Sequence, residues 1–218
     1  MKRLSILACA AFAAALIAPL GSLAAPSGAA FDPANNALFK RMLALNAALQ
    51  SYKASVHLDV ALKTFPYLSP SFDGSVYFEK PNRQAVVFDT VPALASQFKK
   101  VYPNLDPPSS WPALYDVSVL GDSDGQTQFR LVPKKAGRVQ HLDVTVDDAN
   151  ATVKSYTWTY SDGGYVTFNQ QFTSIDGNYL VDKQSGHVEL PSTKADVQSN
   201  FSNYRLNVAI EDSVFDGK

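Results

Sequence analysis

The sequence predicts a mainly β protein, a strongly curved antiparallel sheet with flanking helices. Three observations lead there. Residues 33–50 carry a single helical stripe of apolar side chains. From Ser55 onward the apolar period drops to two, in segments separated by short turns rich in Gly, Asp, Asn and Pro. The one long interruption, residues 91–112, contains several prolines and cannot continue a strand meander.

Asp32 followed by Pro33 offers an N-cap and a first-turn proline. Leu38, Met42, Leu45 and Leu49 then recur at helical spacing, so a helix is expected from about Pro33 to Gln50. From Ser55, Val56, Leu58, Val60 and Leu62 face one way and Ser55, His57, Asp59 and Ala61 the other. Phe65-Pro66 and Ser69-Pro70 end that strand. Phe72 to Glu79 and Gln84 to Asp89 follow as a strand pair across Lys80-Pro81-Asn82-Arg83.

Within residues 91–112, Pro92 opens a short lid helix in which Leu94, Phe98 and Val101 share a face, and Pro103, Pro107 and Pro108 stop it. Strands are expected at Tyr115–Leu120, Thr127–Val132, Val139–Val146, Thr152–Tyr160, Tyr165–Phe172 and Tyr179–Lys183, each bounded by a turn signal. A last strand runs from about Val197 to Glu211, with Tyr204, Leu206, Val208 and Ile210 on one face. About nine strands on short turns imply a strongly curved sheet. Tyr156, Trp158 and Tyr160 form an aromatic stripe that reads first as core, and as ligand surface only if the sheet curls into an incompletely filled barrel.

Lys2 and Arg3, an apolar run from Leu4 to Leu20, and the small residues Ser22 and Ala24 have the form of a signal peptide, residues 1–24. Cleavage is expected after Ala24, with Ala29 the alternative. Residues 25–31 are expected to be disordered and 32–218 to form a single domain. Cys9, the one cysteine, would leave with the signal and exclude thiol chemistry and thiolate metal sites. The formal net charge of −1, from 19 basic and 20 acidic residues, leaves no footprint for nucleic acid. Lys99-Lys100 and Lys134-Lys135 are short basic clusters at turns or helix ends.

Catalytic signatures do not survive inspection. Gly121-Asp122-Ser123-Asp124-Gly125 matches the hydrolase G-x-S-x-G pattern, but strand-like residues flank it on both sides, so it reads as a hairpin rather than a strand-to-helix elbow. Asp122 and Asp124, or Asp147 and Asp148, lack the ligand spacing of a calcium loop. His57, His141 and His187 stand in separate segments without the spacing of a zinc site. There is no glycine-rich phosphate loop. No catalytic residue, metal or cofactor is assigned.

The order of a helix, a strand, then Gly74 to Pro81 with Lys80-Pro81-Asn82 before the next strand resembles the periplasmic lipoprotein-carrier family of LolA and LolB. Leu131-Val132-Pro133-Lys134 and the segment from Ser174-Ile175-Asp176-Gly177-Asn178 to Leu190-Pro191 are similar to later parts of that family. The resemblance implies a half-open barrel, its mouth closed by the N-terminal helix and the short lid helix, holding acyl chains. It implies an exported, periplasmic, monomeric and non-enzymatic carrier whose partners are a lipid or lipidated protein, an inner-membrane transporter or an outer-membrane acceptor. The apolar residues expected to line the cavity are Leu58, Val60, Val76, Phe78, Val86, Phe88, Leu94, Phe98 and Trp158. Lys80 stands where the family has a lid-latching arginine, a point donor in place of a planar fork. The 91–112 segment is also longer than the family's connection. The alternative is an envelope interaction or sensor module, for which exposed strand edges and the proline-rich 103–112 segment speak.

Overall fold

A computed structural model describes residues 31–89 and 105–216. The expected signal segment, its cleavage site, residues 25–30 and the lid helix around Leu94, Phe98 and Val101 lie outside them. The architecture is one antiparallel sheet with two short helices, α1 (Ala37–Ala44) and α2 (Trp111–Leu114). Its strands are β1 (Ser51–Leu62), β2 (Ser71–Glu79), β3 (Arg83–Phe88), β4 (Tyr115–Ser123), β5 (Gln126–Pro133), β6 (Val139–Asp147), β7 (Thr152–Tyr160), β8 (Tyr165–Ile175), β9 (Asn178–Leu190) and β10 (Thr193–Leu206).

The spatial order is β3-β2-β1-β10-β9-β8-β7-β6-β5-β4. Two meanders are therefore joined by the β1–β10 pair, where Val60 stands opposite Val197 and Leu62 opposite Ala195. β3 and β4 do not pair with each other, so the curved sheet stays unclosed, a half-open barrel. The chain between Phe88 and Tyr115 connects these two outermost strands.

Register explains the core. Phe129, Val144, Tyr156, Phe168 and Val197 fall in one row across the sheet, with Gly186 between Phe168 and Val197. A methyl group added at Gly186 would lie 2.5 Å from the Phe168 ring, so only glycine lets that ring cross β9. Leu131, Leu142, Trp158, Val166, Val188 and Ala195 form the adjacent row. The aromatic stripe is core: Tyr156, Trp158 and Phe168 pack against one another at centroid distances of 4.9 to 6.3 Å. Phe39 of α1 meets the Trp111 ring at 6.0 Å, so both helices cover the same inner face.

Several boundaries differ from expectation. The helix starts at Ala37 because Asn36 is its cap, accepting from the Phe39 N–H at 2.8 Å, while Asp32 ties residues 32–35 into a turn by accepting from Ala34 N and Asn35 Nδ2. It stops at Ala44 because Leu45 is extended and Asn46 adopts a φ of 53°, although Leu45 and Leu49 continue the apolar stripe. β1 begins at Ser51 instead of Ser55. Phe31, expected at the end of a disordered stretch, sets its ring edge-on to Phe39 and Phe129.

The last strand ends at Leu206, because Asn207 at φ 52° turns the chain and Val208 and Ile210 leave the sheet. β9 runs on to Leu190 rather than Lys183, and β10 starts at Thr193. Pairing on both sides holds the Gln184-Ser185-Gly186 stretch in the sheet although no apolar alternation marks it. Around Ser123, Asp124 (φ 52°) and Gly125 (φ 72°) make the hairpin turn expected there, with Ser123 paired to Gln126.

Candidate functional site

A cavity of about 450 Å³ opens where α1 gives way to β1. Met42, Leu43, Leu45 and Leu49 form its roof, and Tyr52, Phe78, Phe172, Leu180 and Val181 its apolar wall. Leu105, Pro107 and Pro108 close one side, and Lys80, Asn82 and Gln84 supply a polar rim. The volume lies within the range of about 300–1,000 Å³ usual for small-molecule sites.

The roof exists because the helix ends early. With Asn46 left-handed, Leu45 and Leu49 leave the helical face and turn down over the start of the sheet. Three clamps fix this segment. The Asn46 side chain accepts from the Tyr179 N–H and donates to the Tyr179 carbonyl, each at 2.8 Å, copying a strand pairing at the start of β9. Lys80 Nζ donates to the carbonyls of Asn46 at 3.1 Å and Ala47 at 2.8 Å. A cation at carbonyls just past a helix C-terminus also complements the helix dipole. At the other flank of α1 the Arg41 guanidinium donates to the Asp148 carbonyl.

The wall is ordered by aromatic contacts. Tyr52 stacks on Phe78 at 5.2 Å and meets Tyr204 edge-on at 5.4 Å. Burial pushes the Tyr52 phenol up to about 12. Tyr204 is pushed up too, mainly by burial, and its hydroxyl donates to the Val181 carbonyl at 2.5 Å. Below, Arg83 joins Glu79 and Asp212, each at 2.7 Å, and lies over the Phe215 ring, so the C-terminal turn braces the β2–β3 hairpin.

Of the residues expected to line a cavity, Phe78 lines this one and Lys80 sits at its rim. Leu58, Val60, Val76, Val86 and Phe88 share the inner face by register: Val76 stands opposite Ala54 and Val86, while Phe88 stands opposite Gly74 and packs on Phe72 at 5.7 Å. They lie further along the sheet and do not border the cavity, and Val86 remains 47% exposed. Trp158 is 3% exposed within the main core. Leu94 and Phe98 fall outside the described residues. The sequence reading missed Asn46, Tyr52, Phe172, Tyr179 and Leu180. An asparagine within a helical stripe was the one available signal for Asn46.

The remaining polar chemistry points away from the cavity. His57 Nδ1 lies 2.7 Å from Asp73, and this hydrogen bond is the main cause raising the His57 pKa. His187 Nδ1 lies 2.8 Å from Asp196, whose carboxyl is held below its usual range chiefly by that contact. Among the described residues, no cluster of His, Cys, Asp and Glu is placed to hold a metal. Also among them, no helix is long and apolar enough to cross a membrane.

An open, curved antiparallel sheet with a short helix over its inner face is the LolA-like fold, and this chain has it. It superposes on a DUF1329 family protein from Desulfovibrio piger with a TM-score of 0.62 at 16% identity, covering 83% of this chain and 95% of that one. A domain from Vibrio parahaemolyticus, named as an outer membrane lipoprotein-sorting protein, gives 0.62 at 13% identity over 81% and 93% of the two chains. A LolA superfamily protein from Nitrosomonas europaea gives 0.56 at 13% identity over 82% and 95%. No protein-family model matches the chain, and no curated protein matches it in sequence.

Proposed function

We propose that this protein is an exported, non-enzymatic carrier that shelters acyl chains of a lipid or lipidated protein while they cross an aqueous compartment. The observation carrying this reading is the cavity under the α1–β1 turn, lined mainly by apolar side chains with Lys80, Asn82 and Gln84 at its rim. Each methylene taken out of water contributes about 0.8 kcal/mol, so an acyl chain in such a sleeve is held by its length rather than by specific polar contacts. Lys80 is the latch of the lid: its two bonds to carbonyls just beyond α1 tie the roof to the end of β2. Phe78 is the wall residue nearest that latch in sequence. Leu58, Val60, Val76, Val86 and Phe88 extend the same inner face for a longer chain.

The likeness of fold to the lipoprotein-sorting domain and to the LolA superfamily protein supports a carrier working with a donor and an acceptor in the cell envelope. Native mass spectrometry of the protein purified from membrane-bearing cells, followed by solvent extraction, tests the proposal. A reproducible acyl-chain species that leaves on mild unfolding is expected. A bare protein that also fails to take up fatty acids or phospholipids would overturn it. The second reading, an interaction module, draws on outermost strand β3, where Val86 and Val87 are each 47% exposed.

A further inference from the structure

One row of the inner face breaks its apolar pattern. Leu58, Ser199, Gln184 and Gln170 stand side by side across β1, β10, β9 and β8. Ser199 lies two residues beyond Val197, and Gln184 and Gln170 two residues from Gly186 and Phe168, so all share the concave face with that core row. Ser199 is 6% exposed, yet its hydroxyl has no hydrogen-bond partner among the described residues. Gln184 Nε2 reaches over β8 to donate to the Tyr156 hydroxyl at 2.7 Å, and the Tyr156 side chain is itself buried. The half-buried Gln170 side chain also lacks a partner among the described residues.

A buried hydroxyl without a partner has given up its hydration for nothing, so such a group asks for an explanation. The backbone supplies none, because β9 and β10 are each paired on both sides and their ladder groups are engaged there. The cavity lies close by. Phe172 is part of its wall, and Gln170 precedes it by two residues on the same face of β8, about 7 Å along the strand. Leu180 and Val181, also in the wall, open the strand that carries Gln184. The row offers the Ser199 O–H, the Tyr156 O–H and the second N–H of Gln184 as donors, and burial keeps the Tyr156 phenol neutral by pushing its pKa far up. Three uncharged donors suit a neutral acceptor, whereas an ionised group brought there would lose its hydration without a counter-charge from them.

We propose that Ser199, Gln184 and Tyr156 form a subsite for the ester carbonyl of a neutral lipid, whose uncharged polar group then lies inside the sleeve rather than at its rim. This inference rests on the carrier reading and narrows its cargo: apolar length supplies the affinity, and the carbonyl decides between chains of equal length.

The test uses methyl laurate and tetradecane, matched in length with and without the carbonyl, each displacing a fluorescent fatty acid from the full chain. Four proteins are compared: wild type, Ser199→Ala, Tyr156→Phe/Gln184→Met, and Ser185→Ala, a control on the opposite face of β9. Comparing the proteins with one probe cancels that probe's own hydration. Ser199→Ala is expected to weaken methyl laurate about fivefold, the worth of one hydrogen bond, and the double variant at least as much, with tetradecane held within about twofold. Ser185→Ala should bind both probes as wild type does. In urea, Ser199→Ala should unfold at the wild-type midpoint or above it, because the hydroxyl it removes has no partner. A lower midpoint would mean that the hydroxyl is already satisfied in the ligand-free chain, by an ordered water for instance, and would overturn the proposal. Equal losses for both probes, or no loss for either, would overturn it while leaving the carrier reading in place. Displacement by neither probe would sink the carrier reading and the subsite with it.

Discussion

Asn46→Gly isolates the clamp that holds the cavity roof to β9. Glycine keeps the left-handed φ of 53° that position 46 requires, so the substitution removes only the amide that joins Tyr179 N and O at 2.8 Å each. Two bonds at about 1 kcal/mol apiece give about 2 kcal/mol. Glycine's larger unfolded-chain entropy adds about 0.5–1 kcal/mol, for a total near 3 kcal/mol. Urea unfolding followed by fluorescence reads the global cost, and amide exchange at Tyr179 reads the local one. If the roof opens locally, the Tyr179 amide should exchange about thirtyfold faster, the equivalent of about 2 kcal/mol. A cost below about 0.5 kcal/mol, or unchanged exchange at Tyr179, would refute the assignment of these bonds as a clamp.

Phe78→Asp places a charge on the cavity wall beside Tyr52 and should abolish uptake of a fluorescent fatty acid while far-ultraviolet dichroism stays native; uptake at the wild-type level would remove Phe78 from the site. Lys80→Ala should speed ligand release about tenfold, equivalent to about 1.4 kcal/mol, with little change in capture rate, as measured by stopped-flow displacement; equal release rates would reject the latch. Gly186→Ala forces a methyl group against the Phe168 ring and should cost about 1–3 kcal/mol in denaturant unfolding. Burial pushes the Tyr52 phenol from its ordinary value near 10 in the unfolded chain up to about 12 in the folded one. Its contribution is therefore present below pH 10 and lost as pH rises toward 12, so alkaline unfolding should coincide with phenolate absorbance instead of following it.

Periodicity carried the sheet and failed at its exceptions. β2, β3 and β7 alternate cleanly, and their expected limits fall within a residue or so of those observed. The helix was overextended because Leu45 and Leu49 obey the helical spacing while Asn46 leaves the helix, and apolar spacing alone is blind to a left-handed residue. The second half of β9 was invisible because Gln184, Ser185 and Gly186 lack a strand pattern and are held by neighbours on both sides. Of the cavity, Phe78 and Lys80 were legible from the sequence. Tyr179 and Leu180 were not, because a register shift between Gln171 and Phe172 decides where β9 starts against β8, and that shift is a property of the pair rather than of either strand.

Helix α1 and the 63–70 loop are held by different means. α1 has eight residues, below the roughly 12 at which an isolated helix becomes even marginal in water. It stands on two buried side chains, Phe39 and Met42, and on the polar clamps of Arg41, Asn46 and Lys80. Such an element can open without unfolding the sheet, since the β1–β10 and β8–β9 pairs do not depend on it. The loop at the far end of β1 hangs instead on backbone bonds that continue the β1–β2 pairing, independent of the clamps on α1.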